Sequence, residues 1–188
     1  HPAVSPAIEF LRKEQEPNGS WYGRWGVNYI YGTWCVLAGL RAIGIDMTAP
    51  WIQQAVIWLE SVQNPDGGWG ESCDSYAEVE KAGKGDSAAS QTAWALMALL
   101  QGGASDSISV VRGVNWLIRH QRENGVWEEP FHTGTGFPRV FYLRYHGYSK
   151  YFPIWALSMY RNVKMTGESR ADQLRKAAQV ARHQRKIV

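Results

Sequence analysis

The chain has 188 residues, of which 45% are hydrophobic and 13% aromatic, enough apolar side chain to fill the core of one domain. Its formal charge is +3, but residues 161–188 carry eight Lys and Arg against two acids, so the rest is weakly acidic and nucleic-acid binding is not expected. Two Cys, Cys35 and Cys73, do not make a disulfide framework, which fits a reducing compartment such as the cytoplasm. The longest purely apolar run, residues 93–100, is too short to cross a bilayer.

The first part of the chain predicts helices separated by tight turns. Residues 7–15 have the pattern of a helix end and residues 16–26 that of an aromatic-rich turn, so the chain is expected to begin inside a repeat. An apolar helix over residues 31–43 is closed by Gly44. Pro50 opens the next helix, at a position where a missing amide hydrogen costs nothing. Together these elements form a helical hairpin.

The remainder of the chain follows the same order. A polar loop over residues 71–86 leads to an apolar helix over residues 91–101 and an amphipathic helix over residues 108–121. The most aromatic segment of the chain comes next, and two further helices are predicted after it. The aromatic segment covers residues 133–151, and the two helices cover residues 152–160 and a basic stretch from Glu168.

One short motif occurs three times and accounts for the turns between helices. It reads QEPNGSW over residues 15–21, QNPDGGW over residues 63–69 and QRENGVW over residues 121–127. Asn or Asp followed by Gly is typical of a tight turn, because Gly readily adopts the positive φ that ends a helix. The Trp can then fold back over the helix end. The long spacing between copies predicts an all-α stack of helical hairpins. The repeated positions are Gln15, Gly19, Trp21, Gln63, Gly67, Trp69, Gln121, Gly125 and Trp127.

Residues typical of metal or nucleophilic catalysis are scattered along the sequence. The five His show no pairing at i, i+4, and no Ser or Cys lies in a nucleophile motif. Glu128 and Glu129 form the closest pair of acids, but acids after a turn more often cap a helix or face solvent than take part in catalysis. No metal site is predicted.

Aromatic residues in the segment 133–151 recur every three to five positions, which predicts that several share one face of a helix. Core packing is the common role of such a stripe. The alternative is a pocket wall of π faces, which stabilises a cation by roughly 0.5–2 kcal/mol per ring when desolvated and offers no nucleophile to trap it. A carbocation cascade requires such a wall. The residues concerned are Phe137, Phe141, Tyr142, Tyr145 and Tyr148.

Four segments resemble signatures of bacterial squalene-hopene cyclases, and the three repeats resemble the QW motifs of that family. The segments are GSWYGRWGVNYIYGT (19–33), NPDGGWGE (64–71), GKGDSAASQTAWALMAL (83–99) and TGTGFPRVFYLRYHGY (133–148). The resemblance extends essentially from end to end. It implies that residues 1–188 are the C-terminal part of one (α/α)6 barrel, a terpenoid cyclase toroid built from helical hairpins.

The resemblance also implies an activity. The family protonates a terminal double bond of squalene and lets the resulting cations close rings to hopene or hopanol, which is isomerase chemistry without a metal or organic cofactor. The complete enzymes are monotopic membrane proteins, so a peripheral membrane association in the cytoplasm is expected. The aromatic segment favours this family over the related oxidosqualene and diterpene cyclases.

Individual residues acquire expected roles from the resemblance. Tyr31 belongs to the hydrogen-bonded surroundings of the catalytic acid. The Gln and Trp residues of the repeats are structural and tie helix ends together against the heat of an exergonic reaction. The residues that line the cavity and stabilise cations are Trp25, Phe137, Phe141 and Tyr145, with Tyr148 close by.

The family's proton donor, an aspartate in an Asp-x-Asp-Asp motif, has no counterpart among the six widely separated aspartates of this sequence. The acid and the second barrel are therefore expected upstream of the matched region, and the isolated chain is expected to be inactive. A partial barrel leaves apolar helix faces uncovered, which predicts self-association or binding of lipid or detergent.

Two other interpretations are left open by the residues alone. The chain is either a fragment of a different terpene cyclase or a non-catalytic apolar-ligand or scaffold module, a remnant that has lost its acid. Prenyltransferase β-subunits also form helical barrels, but they need a zinc site that this sequence does not provide. An in-frame upstream segment with the Asp-x-Asp-Asp motif would distinguish a truncated cyclase from a remnant.

Overall fold

A computed structural model describes residues 1–168 together with residues 172, 173, 175, 176 and 178, and these residues are mostly helical. Two short 3-10 turns and one two-stranded antiparallel sheet complete the described part. The helices are α1 (Val4–Lys13), α2 (Tyr29–Ala42), α3 (Pro50–Ser61), α4 (Ala89–Gln101), α5 (Ile108–His120) and α6 (Tyr148–Thr166). The strands are β1 (Gly134–Phe137) and β2 (Phe141–Leu143), and the 3-10 turns are Cys73–Tyr76 and Val79–Lys81.

Helix α4 is the centre of the fold. Its sequence is apolar on almost every side, and every residue of the helix is buried. It packs against α2 and α6 in an inner row, while α3 and α5 pack against it from outside. Outer and inner helices therefore alternate along the chain, as the predicted stack of helical hairpins requires.

Each repeated motif closes an outer helix through the indole of its Trp. The indole N–H donates to the carbonyl of the Leu ten residues earlier, at 2.7–2.8 Å. The Gly of each turn has a φ between 80° and 97°, a conformation that residues with a Cβ rarely adopt. The pairs are Trp21 with Leu11, Trp69 with Leu59, and Trp127 with Leu117.

The Gln side chains of the motifs make a second set of contacts. Each amide donates to the carbonyl of the Gly four residues later, at 2.8–2.9 Å. Gln15 also donates to the Trp51 carbonyl at 2.7 Å, and Gln63 to the Ser109 carbonyl at 2.9 Å. Both carbonyls lie in the first turn of the next outer helix. The first two motifs therefore join α1 to α3 and α3 to α5.

Residues 134–143 of the aromatic segment form a β-hairpin, so the helix predicted for the rings there was wrong, whereas Tyr148 lies at the start of α6. Strands β1 and β2 pair antiparallel, and the Val140 N–H donates to the Phe137 carbonyl at 3.0 Å. Pro138 followed by Arg139 at a φ of 66° has the geometry of a type II turn. Two glycines in β1 disfavour a helix, and the proline removes a backbone donor, which together outweigh the helical spacing of the rings.

The last inner helix, α6, extends beyond the predicted residues 152–160 at both ends. The basic helix predicted from Glu168 lies mostly outside the described residues. Throughout the described part of the chain, every helix is too short or too polar to span a membrane.

Candidate functional site

Residues 25–27 extend the hairpin along the free edge of β1. The Thr135 N–H donates to the Trp25 carbonyl and the Val27 N–H to the Thr133 carbonyl, both at 3.0 Å. An antiparallel bridge joins Gly26 to the first residue of β1. The sheet therefore connects the turn before α2 with the aromatic segment before α6.

Three glycines of this sheet leave room for aromatic rings. A Cβ built on any of them would lie within 2.5 Å of a ring atom, so only glycine allows the rings to rest against the backbone. Gly26 and Gly134 are bridge partners, and Gly134 pairs with Leu143, which shares one face of β2 with Phe141, so the three rings lie on one face of the sheet. The contacts would be 2.3 Å from Gly26 to Tyr31, 2.5 Å from Gly134 to Tyr145, and 2.1 Å from Gly136 to Phe141.

The rings on this face include two contacting pairs and are about half open to solvent. Phe137 and Phe141 meet edge to face with their centroids 5.8 Å apart. Tyr145 stacks on Tyr148 at 4.7 Å, and Tyr148 packs on the core residue Phe152. The exposed fractions are 55% for Phe137, 44% for Phe141 and 42% for Tyr145. We call Tyr31, Phe137, Phe141, Tyr145 and Tyr148 the aromatic wall.

The backbone of Trp25 belongs to the sheet, but its ring is not part of the aromatic wall. Its side chain is 54% exposed, and the Arg24 guanidinium lies 5.2 Å from the ring centroid. Among the described residues the Trp25 ring has no aromatic neighbour. The structure therefore brings the backbone of Trp25 to the aromatic wall and leaves its ring apart.

Tyr142 is separated from the aromatic wall, because neighbouring side chains of a strand point to opposite faces. Its ring stacks on Tyr76 at 5.9 Å, and its hydroxyl donates to the Cys73 carbonyl at 3.3 Å. The Tyr76 hydroxyl in turn donates to the Gly26 carbonyl at 2.9 Å, and Arg139 Nε donates to the Tyr76 carbonyl at 2.6 Å. The reverse face of the sheet is thus fixed to the loop after the second repeat.

Tyr31 lies partly buried between α2 and α4. Its ring meets Trp94 edge to face at 5.0 Å and Trp34 at 5.7 Å. Burial raises the pKa of the Tyr31 phenol, and the neighbouring Cys35 raises this pKa further. The phenol therefore stays protonated at neutral pH and is a hydrogen-bond donor.

Glu71 is a buried carboxylate for which the sequence pattern predicted no role. Its side chain accepts the N–H groups of Asn28, Tyr29 and Ile30 at 3.2, 3.0 and 3.0 Å. These donors lie at the start of α2, where backbone N–H groups have no partner within the helix. Burial raises the pKa of the Glu71 carboxyl, although the hydrogen bonds act in the opposite direction.

Glu129 has the equivalent place at the start of α4. Its carboxylate accepts the Ser90 N–H at 2.7 Å, the Ser90 hydroxyl at 2.9 Å and the Thr133 hydroxyl at 2.9 Å. Burial raises the pKa of the Glu129 carboxyl. The neighbouring Glu128 is exposed and pairs with Arg122. Of the two acids singled out by the sequence, one caps a helix and the other faces solvent.

A sequence signal for these two carboxylates was present in the repeats. Glu71 and Glu129 each follow the Trp of their motif by two positions, whereas the first copy has Gly23 there. Alignment of the repeats identifies the shared position. It does not identify the partner helix, which lies about 40 residues away along the chain.

The described residues contain no group of three or more His, Cys, Asp or Glu side chains placed to hold a metal ion. The aromatic wall consists of π faces and phenol hydroxyls, and the nearby carboxylates already accept backbone or hydroxyl hydrogens. Such a surface stabilises positive charge on an apolar ligand. It holds no acid of its own to create that charge.

Most of the chain is similar to proteins of one known family. Residues 1–162 match the family profile described as squalene-hopene cyclase C-terminal domain. The squalene-hopene cyclase of Zymomonas mobilis is 55% identical over 89% of this chain and 26% of its own length. That of Alicyclobacillus acidocaldarius is 56% identical over 84% of this chain and 25% of its own length.

Solved structures of a type II terpene cyclase share the helical fold. The R337A variant of MstE from Scytonema, in complex with its substrate geranylgeranyl dihydroxybenzoate, aligns with a TM-score of 0.50 and 27% identity. The alignment covers 66% of this chain and 33% of that chain. The chain spans about a quarter of the length of the curated relatives that it matches.

Proposed function

Because the chain belongs to the squalene-hopene cyclase family, we propose that it forms the aromatic part of a cavity in which squalene is cyclised to hopene or hopanol. The reaction is an isomerisation, or a hydration when water ends the cascade. Protonation of a terminal double bond creates a cation, and successive ring closures move this cation along the substrate. The partner that closes the cavity is the remainder of a cyclase.

The observation that carries this proposal is the aromatic wall. Phe137 and Phe141 present half-exposed rings in edge-to-face contact, and the half-exposed ring of Tyr145 rests against Gly134 on the same face of the sheet. Each ring contributes roughly 0.5–2 kcal/mol to the stability of a nearby desolvated cation. This contribution accelerates the reaction because it acts on cationic intermediates and not on the neutral substrate. Phe rings also lack an atom that would trap the cation.

Tyr31 supports the first protonation. Its partly buried phenol keeps its proton at neutral pH, and we assign it the role of a hydrogen-bond donor in the surroundings of the catalytic acid. The acid itself comes from the remainder of the cyclase, because this sequence has no Asp-x-Asp-Asp motif. The isolated chain is therefore inactive, and any hopene formed by it alone would contradict this assignment.

We also propose that the complete enzyme is a monotopic membrane protein, because an apolar substrate such as squalene partitions into the bilayer. The cytoplasmic side is the reducing compartment that the two Cys favour. Vesicle flotation tests this location. The complete enzyme is expected to float with vesicles. An enzyme that remains at the bottom of the gradient would contradict a membrane association.

Complementation tests the function. The chain is co-expressed with an upstream region that carries the Asp-x-Asp-Asp motif, squalene is supplied, and products are identified by gas chromatography and mass spectrometry. We expect hopene from the pair and none from either part alone. A soluble, stably associated pair without product would overturn the proposal.

Variants of the pair test the aromatic wall. Phe137→Ala and Phe141→Ala each remove one ring, and the rate of hopene formation is expected to fall about tenfold or more. Phe131→Ala is the matched control, because Phe131 is 36% exposed but lies outside the aromatic wall. Equal rates for all three variants would contradict a role of the wall in the reaction.

A further inference from the structure

The start of α2 is held by a side chain from another part of the fold. Helix α2 begins at Tyr29, and its N-cap residue Asn28 provides no side-chain cap to its own helix. The carboxylate of Glu71 accepts three N–H groups there instead, from more than 40 residues away along the chain. Only two residues separate Asn28 from Tyr31 of the aromatic wall.

Glu71 is also connected to the edge of the sheet. Its own N–H donates to Gln91 Oε1 at 2.9 Å, and Gln91 Nε2 donates to the Glu71 carbonyl at 3.0 Å. The same Nε2 donates to the Val27 carbonyl at 2.9 Å. Val27 in turn pairs with Thr133, which precedes β1. One buried network therefore spans α2, α4 and the sheet that bears the aromatic wall.

We propose that Glu71 is a positioning residue for the cyclisation, which fixes residues 25–31 and thereby the placement of Tyr31 against Gly26. Glu71 touches none of the rings, so its effect passes through the backbone of α2 and through Gln91. This inference rests on the proposed function for its effect on catalysis. The structural part of the inference does not depend on any activity.

A carboxylate suits this place better than an amide. Both carboxylate oxygens accept hydrogen bonds, one from Tyr29 and the other from Asn28 and Ile30. A glutamine has one accepting oxygen, and its NH2 group would face backbone donors. The negative charge also interacts favourably with the N-terminus of the helix. Glu71→Gln therefore keeps the size of the side chain and changes only its charge and its hydrogen bonds to the start of α2.

Hydrogen exchange in the chain itself gives the first test. Glu71→Gln is compared with Glu80→Gln, a substitution at an exposed position in the same loop. We expect amide exchange to accelerate at least tenfold in residues 25–31 of Glu71→Gln, with no change in α5 and no change anywhere in Glu80→Gln. Unchanged exchange in residues 25–31, or equal acceleration in α5, would overturn the proposal.

Kinetics of the complemented enzyme give the second test. We expect Glu71→Gln to lower kcat about tenfold with KM within twofold, and to raise the fraction of incompletely cyclised products, because displaced rings stabilise later cations poorly. Unchanged kcat and product ratios beside an active wild-type pair would overturn the positioning role alone. An inactive wild-type pair would overturn the proposed function, and the catalytic part of this inference with it.

Discussion

Glu128 and Glu129 are neighbours in sequence but differ in their physical surroundings. Glu128 is exposed and pairs with Arg122, an arrangement that contributes little to stability. Glu129 instead accepts bonds from Ser90 and Thr133 and so joins the start of α4 to the segment before β1. Its loss would leave a helix N–H without an acceptor.

The buried carboxyl of Glu129 predicts a pH dependence of stability. The pKa of the Glu129 carboxyl is raised in the folded chain above its ordinary value of 4.5, so the folded state binds this proton more tightly than the unfolded state does. The resulting stabilisation of the folded chain is complete at low pH and is lost as the pH rises through the folded pKa. The glutamine side chain of Glu129→Gln does not titrate. The difference in unfolding free energy between wild type and Glu129→Gln should therefore shrink as pH rises from about 4.5.

Urea unfolding at a series of pH values measures this difference. Glu128→Gln is the control, and its effect should stay within about 0.5 kcal/mol at every pH because the side chain is exposed. A wild-type advantage over Glu129→Gln that grows with pH would show that the pKa of Glu129 is lowered and not raised.

At the scale of elements, the hairpin is the part of the fold for which the sequence pattern predicted a helix. Phe137, Phe141 and Tyr145 are four residues apart, and this spacing fits a helix face as well as it fits positions around a bulged hairpin. The glycines and the proline of the same segment disfavour a helix. The contacts that decide the outcome are the bonds to residues 25–27, which no local pattern reveals.

A substitution in β1 tests the contact between backbone and ring. Gly136→Ala would place a Cβ 2.1 Å from the Phe141 ring, so the ring must move, and the unfolding free energy should fall by about 1–3 kcal/mol. Gly39→Ala is the control, because open space surrounds this helical glycine. It should stabilise the chain by about 0.5–1 kcal/mol, since alanine favours a helix. Urea unfolding measures both, and a stabilising Gly136→Ala would contradict the contact.

The repeated motifs join elements, and the copies are not equivalent. Gln63 donates to two carbonyls, one of them in the next outer helix, whereas the exposed Gln121 donates to one carbonyl among the described residues. Gln63→Ala should lower the unfolding free energy by about 1–3 kcal/mol, and Gln121→Ala by less than half as much. Thermal unfolding of both variants is the measurement. Equal losses of unfolding free energy in the two variants would mean that the hydrogen bond from Gln63 to the Ser109 carbonyl does not stabilise the chain.

At the scale of the whole molecule, the stack has uncovered apolar surfaces. Phe10 is 60% exposed, whereas Trp58 and Trp116, at the same position of the second and third repeats, are buried. Apolar residues of α1, of α2 and of the α2 C-terminus also line an open groove of about 300 Å³ that includes Leu11 and Ile43. Apolar surface of this kind favours association with a further apolar partner.

The isolated chain is therefore expected to self-associate. Light scattering at micromolar concentration should give a mass above that of the monomer, and detergent should lower it. The double variant Phe10→Asn and Ile43→Asn should shift the chain towards monomer, because both apolar side chains are exposed. A strictly monomeric wild-type chain would contradict the expectation.

The sequence by itself determined the family, the all-α stack and the three repeated turns, because these features depend on residues within about ten positions of one another. The hydrogen bonds from Trp21 to Leu11 and from Gln15 to Gly19 are of this kind. The roles expected for Tyr31, Trp25 and the other rings stay predictions.

Only the tertiary structure decided which residues support the aromatic wall. The hairpin pairs with residues 25–27, Glu71 holds α2, and Glu129 holds α4, each across a separation of about 40 residues or more. A sequence pattern indicates that an acid follows the motif Trp, but it cannot indicate the backbone N–H groups that the acid will meet. These partners are set by how the helices stack, because a buried carboxylate is stable only where donors from another element converge on it.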